Sequence, residues 1–284
     1  MKHFWLVAAA LALAPLMATA AGPATVRKQV ESSMLVEGTI EITAQGTVKS
    51  MGIDRQEKLP EGIVTFVQDQ VARWTFEPVL VDGTPTPARS AMALRLVARR
   101  LDDKRMTVGI RNASFNGEAP EPGAAVDSIS MKPPRYPSQA VRSGVAGTVY
   151  LVLKIGREGR VEDVVVEQVN LRVVASDKEM TRYRALLADA TLKAAREWTF
   201  QAPTIGELAD DEFWSVRVPT DYTFDRSRGD GYGQWQAYVP GPRETVPWKT
   251  DEYPASSPDA LADGGVYTAG AAQGPRLLTP LDGG

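Results

Sequence analysis

The side chains with the most obvious capacity for chemistry are adjacent carboxylates, Asp210-Asp211-Glu212 and Glu162-Asp163, which could serve as acid/base pairs. Their setting favours a plainer role. Neighbours on a strand point to opposite faces, and the triple acid falls in an expected loop, so both read as charged surface. The chain has 0 Cys and 1 His, and that His is His3, inside an N-terminal segment expected to be cleaved off, so the mature protein is expected to have neither residue type. Thiol nucleophiles, Ser-His-Asp triads, thiolate or imidazole zinc sites and disulfides are therefore removed together, because each needs one of those side chains. The expectation is a non-enzymatic protein with no metal and no cofactor. A formal net charge of −3 at pH 7, with acids and bases interspersed, speaks against nucleic acid or an anionic membrane surface as the main partner. Trp235, Tyr238 and Trp248 could stack on a glycan, but in Gly/Pro-rich surroundings they read more simply as part of a disordered tail.

Met1-Lys2-His3 gives a short positive start, residues 4–17 are almost wholly apolar, and Ala18-Thr19-Ala20 sets small residues where a signal peptidase reads. Residues 1–20 are thus expected to be a signal peptide removed before Ala21, placing the protein in the periplasm. The alternative is an uncleaved inner-membrane anchor, for which residues 4–21 are about long enough if tilting is allowed. The membrane is a partner only in that case.

Further along, Met34, Val36, Ile40 and Ile42 punctuate a strand, Ala44-Gln45-Gly46 turns it, and Val48 begins the return. Pro60-Glu61 opens a helix whose apolar positions Ile63, Phe66, Val67, Val71 and Trp74 follow a 3.6-residue period. Met92, Leu94 and Leu96 mark a third strand, and residues 106–110 can add a fourth at its edge. Residues 21–115 therefore form an N-terminal β-β-α-β unit, and the breaker-rich stretch 116–130 is the linker.

The second half repeats this order. Pro137 starts a short helix that Gly144 ends, Val149, Leu151, Leu153 and Ile155 share one strand face, and residues 156–159 turn the chain into a partner strand. Ser176 and Glu179 fit a capping box for a long helix with a stripe at Tyr183, Leu186, Leu187, Ala190, Ala194 and Trp198. Residues 214–224 supply the last strand, and 226–284 read as a disordered Gly/Pro/aromatic tail. The fold class is α+β, with antiparallel sheets and helices on one face. Trp74-Thr75-Phe76 against Trp198-Thr199-Phe200 points to an internal duplication.

Pro134-Arg135-Tyr136-Pro137, Ala140, Gly144-Val145-Ala146-Gly147-Thr148-Val149, Gly159-Arg160-Val161 and Ala194-Ala195-Arg196-Glu197-Trp198-Thr199-Phe200 with Pro203 follow one another in an order that resembles the C-terminal domain of the TonB energy-transducer family. The resemblance covers residues 131–225. It implies recognition of an extended peptide, expected to come from a TonB-dependent outer-membrane receptor, along an exposed strand edge with help from the loop around Tyr136. By position, the implied partner-binding residues are Arg135, Tyr136 and Pro137 with Ser215, Val216, Arg217, Val218, Thr220 and Tyr222 of the last strand. Pro219 removes one ladder donor there, as an edge strand allows. The chain departs from the family pattern after its second strand, where Asn170-Leu171-Arg172-Val173-Val174-Ala175 replaces a Ser-Ser-Gly-like turn. It also offers only a few residues around Pro120 and Pro122 as a Pro-rich spacer, where an energy transducer has a long one.

Overall fold

A computed structural model describes residues 23–81, 83–100, 105–116, 122–224, 232–248, 265–268 and 274–281. The expected signal segment 1–20 and the cleavage point before Ala21 lie outside the described residues. The architecture is α+β, with two larger antiparallel sheets that each carry a helix on one face.

A one-turn helix α1 (Pro23–Arg27) precedes the hairpin of β1 (Glu31–Ile42) and β2 (Val48–Ile53). Helix α2 (Glu61–Val71) buries Ile63, Val64, Val67 and Val71 against it. A small ribbon of β3 (Leu80–Val81) and β4 (Thr84–Pro85) leads into β5 (Ala88–Arg100), which pairs with β1 on one side and β6 (Met106–Asn116) on the other. Met34, Val36, Ile40, Ile42, Met92, Leu94 and Leu96 meet Trp74 and Phe76 in the first core. The alternation of apolar residues thus gives each strand its buried face.

In the second unit, β7 (Asp127–Ser130) lies within the stretch expected to be a linker, with Ala125 and Val126 buried beside it. Helix α3 (Ser138–Arg142) begins after Pro137, and Gly144 follows it in the left-handed region at φ 62°. Strand β8 (Gly147–Gly156) pairs with β9 (Val161–Leu171), and α4 (Asp177–Ala195) packs on the hairpin. Glu179 accepts from both the N–H and the hydroxyl of Ser176, at 3.1 and 2.7 Å. Strand β10 (Thr199–Gln201) pairs with β7, and β11 (Phe213–Tyr222) pairs with β8 along its whole length.

The centre of the α4 stripe sits slightly off the expected one, at Met180, Leu187, Thr191 and Ala195. Thr191 is tolerated there because its hydroxyl donates to the Leu187 carbonyl at 2.7 Å and shares a hydrogen bond with the Tyr222 hydroxyl at 2.8 Å.

The two units close their hairpins alike. Gly46 (φ 82°) accepts from the Phe76 N–H at 2.7 Å, and Gly159 (φ 71°) accepts from the Phe200 N–H at 2.8 Å. A Cβ on either glycine would meet the Phe76 or Phe200 carbonyl oxygen at 2.0 or 1.8 Å, so neither position admits a side chain.

Within the segment read as a disordered tail, three described stretches pack on the two units. Residues 236–238 form β12 (Gln236–Tyr238) on β1, and Val239 and Leu171 exchange backbone hydrogen bonds of 2.7 and 3.1 Å. Tyr238 donates to Glu31 at 2.8 Å, inside an ion cluster that Arg99 and Arg111 complete at 2.7 Å each. Val246 and Trp248 cover Val152, so β8 is buried on both faces rather than one. Residues 267–268 form β13 (Tyr267–Thr268) on β11, and the backbone of residues 276–279 hydrogen-bonds to Thr75 and Glu77 of the first unit. Extended segments of this kind are held by backbone bonds to distant strands and need no apolar period of their own.

Candidate functional site

The Lys132-Pro133-Pro134 run is extended because proline disfavours helix in the residue before it. Trp198, just past the end of α4, holds that run in place by donating its indole N–H to the Lys132 carbonyl at 2.9 Å. The chain then turns through Tyr136, whose hydroxyl donates to the Val145 carbonyl at 2.6 Å across α3. Its ring meets Tyr222 edge-on at 5.1 Å and stacks on Phe224 at 5.0 Å. Burial pushes the Tyr136 hydroxyl up to about 12, with Arg172 opposing and Asp221 and Tyr222 adding to the rise.

These placements open a groove of about 500 Å³ between the proline run and the end of β11. Met131, Pro133, Pro134, Tyr136 and Trp198 form one wall, and residues 218–223 form the other. Its volume falls in the range of small-ligand clefts, and one of its walls is a strand. Among the described residues, nothing pairs with the 218–222 stretch of β11 on the side away from β8.

Arg172, from the segment that departs from the family turn, fixes this end of the strand. It bonds to the Asp221 carboxylate at 2.6 Å and to the Tyr222 carbonyl at 2.8 Å, while Thr148 donates to Asp221 at 2.9 Å. Tyr222 is itself buried on Thr191, and burial raises its hydroxyl above the ordinary tyrosine value.

The sequence-derived candidates divide into two sets. Tyr136, Val218, Thr220 and Tyr222 line the groove. Pro137 stands at the start of α3, and Arg135 is exposed beside the groove without lining it. Ser215, Val216 and Arg217 are buried, and Val216 and Arg217 are paired with β13. Arg217 is committed inside the protein: its guanidinium binds Glu167 in a two-pronged pair at 2.7 and 2.9 Å, and Arg243 joins the same carboxylate at 2.7 Å.

The groove residues absent from the sequence-derived candidates are Ser128, Met131, Pro133, Pro134, Trp198, Pro219, Asp221 and Thr223. Pro134 and Trp198 stand in the family motif, and Trp198 falls in the apolar stripe expected for the long helix; its indole bond to the Lys132 carbonyl ties that packing to the shape of the groove. The acidic groups stay at the surface. Asp210, Asp211, Glu212, Glu162 and Asp163 are all exposed, with Glu162 on Lys154 at 3.1 Å and Asp163 accepting from the Val164 N–H. Tyr238 is buried in the Glu31 cluster, so its ring offers no glycan platform.

Fold and groove together define a class: an α+β domain in which one strand end stands open beside a Tyr-Pro loop. Residues 132–224 match the family described as the Gram-negative bacterial TonB protein C-terminal. Over 106 residues the chain is 35% identical to Protein TonB of Xanthomonas campestris pv. campestris strain B100, and equally to that of strain ATCC 33913. The aligned stretch is 36% of this chain and 41% of each relative, so the chain spans less than half the length of the curated relatives it matches. No solved structure matches the chain. The resemblance expected for the second half is borne out, and it is to this family. Among the described residues, no helix is long and apolar enough to cross a membrane.

Proposed function

We propose that this protein is a non-enzymatic, TonB-like recognition protein of the Gram-negative periplasm, serving transport across the cell envelope. It binds an extended segment of a TonB-dependent outer-membrane receptor by adding that segment to the edge of β11. Backbone hydrogen bonds to an open strand supply affinity, and the groove beside it reads alternate side chains. The observation that carries this reading is the coincidence of the unpaired 218–222 edge with the groove walled by Tyr136, Pro133, Pro134 and Trp198. Arg135, exposed at the rim, and Pro137, which sets the loop, complete the contact surface.

The test is the affinity of synthetic peptides from the periplasmic N-termini of the host's receptors, measured by fluorescence anisotropy. Thr220→Trp, which fills the groove from a half-buried position, is expected to weaken binding about tenfold or more, near 1.4 kcal/mol. Unchanged affinity in a folded Thr220→Trp protein would remove the groove from the contact.

A second reading follows from the printed name of the relatives, Protein TonB. In it residues 4–21 stay as an inner-membrane anchor and the protein is an energy transducer. The mass of the protein recovered from cells separates the two: a chain starting at Ala21 supports the periplasmic form, and a membrane-bound chain retaining Met1 supports the transducer.

A further inference from the structure

We propose that β13 is an internal occupant of the recognition edge, so that a receptor segment binds by displacing the chain's own residues 265–268. This rests on the strand-addition reading given above. Strand β13 lies on the side of β11 away from β8, the side on which the groove stretch stands open. It pairs through Val216 with Thr268 and Arg217 with Tyr267, and stops before Val218.

The first unit shows what complete occupancy of the corresponding edge looks like. There β5, which takes the place of β11, is paired with β6 from Ala91 to Arg100. Strand β6 follows β5 directly in sequence and closes the edge permanently. By contrast β13 returns from far along the chain and covers a fraction of the edge. Residues 265–268 are only half-buried, whereas Val216 and Arg217 beneath them are buried.

The occupant is held between two fixed points. Before it, residues 238–246 are fastened by Tyr238 on Glu31, Val239 on Leu171, Arg243 on Glu167 and Val246 on Val152. After it, Leu278 and Glu77 are joined to Thr75 and Arg276 by backbone bonds of 2.8 and 2.9 Å. A short strand tethered at both ends sees its site at a high effective concentration, yet it can leave without detaching the tail. A partner that pairs along 216–222 replaces both of its registered pairs and gains the open stretch as well. When a competent state is populated only in part, apparent affinity falls by that fraction, so an edge closed nine-tenths of the time costs about tenfold.

The test uses the full chain, which contains 0 Cys. Val216→Cys with Thr268→Cys places a thiol pair on directly opposed antiparallel residues, whose Cα separation of about 4.5–5.5 Å suits a disulfide. The same receptor peptides are titrated against the oxidised form, the reduced form, and a Tyr267→Pro/Thr268→Pro variant, with amide exchange at Val216 and Arg217 as a peptide-free readout. The expected result is loss of binding in the oxidised form, recovery of binding when the same double variant is reduced, and about tenfold tighter binding than wild type with faster exchange in the proline variant. Equal affinity of oxidised and reduced forms would overturn the inference while leaving strand addition at 218–222 standing. If no form binds, the proline variant included, the strand-addition reading fails and this inference falls with it.

Discussion

The shared closure of the two hairpins can be tested by replacing Gly159 with alanine. At φ 71° an L side chain costs about 1–2 kcal/mol. The new Cβ would also stand 1.8 Å from the Phe200 carbonyl oxygen, so β10 must move away. That movement breaks the 2.8 Å bond from the Phe200 N–H to the Gly159 carbonyl, and an amide left unpaired near the core costs about 1–3 kcal/mol more. The total is about 3 kcal/mol. Gly46→Ala should cost the first unit a similar amount, since its Cβ would meet the Phe76 carbonyl oxygen at 2.0 Å. Gly144→Ala is the control: at φ 62° it pays only the conformational term of about 1 kcal/mol, because nothing lies within 4 Å of its Cβ. Urea unfolding followed by both circular dichroism and tryptophan fluorescence compares the three, with the two probes revealing whether the units melt together. A Gly159→Ala midpoint no lower than that of Gly144→Ala would refute the reasoning.

Two further outcomes follow from buried groups. Because the folded-state hydroxyl of Tyr136 is raised to about 12, its contribution to stability is fully present below pH 10 and is lost as pH rises through the folded value. Tyr222 and Tyr232 are raised by burial too, so alkaline spectrophotometric titration should show several late-ionising tyrosines, one fewer in Tyr136→Phe, and a Tyr136→Phe protein whose stability falls as steeply as wild type above pH 10 would contradict this. Arg217→Met leaves the buried Glu167 carboxylate with Arg243 as its remaining charged partner in the cluster and is expected to cost about 3 kcal/mol, whereas Glu167→Leu with Arg217→Met together should cost far less. Thermal unfolding of the two variants decides it.

Much of the fold was legible because period and burial coincide. Val149, Leu151, Leu153 and Ile155 alternate in sequence and are all fully buried, and Met92, Leu94 and Leu96 do the same in the first unit. What escaped was long-range and polar. Thr191 sits in the core with its hydroxyl bonded to the Leu187 carbonyl and to Tyr222, the latter thirty-one positions away. Arg217 reads as an outward contact on an alternating strand, yet Glu167 turns it into a buried ion pair. The second buried face of β8 and the cap on β11 both come from the Gly/Pro-rich final stretch, whose backbone pairing leaves no local signature. At the site, Tyr136 of the Tyr-Pro motif lies in one wall of the groove. The opposite wall reduced to 218–223, because β13 holds the strand just before it.

The central claim is that the open end of β11 and the groove beside it receive an extended peptide. The most direct measurement is a nuclear magnetic resonance titration of the isotope-labelled full chain with receptor N-terminal peptides. Shift changes and slowed amide exchange concentrated at 218–223, the Trp198 indole N–H and the Tyr136 loop are the predicted result. Binding whose shift changes fall on the first unit, or anywhere that leaves 218–223 and the Trp198 indole unmoved, would contradict the account.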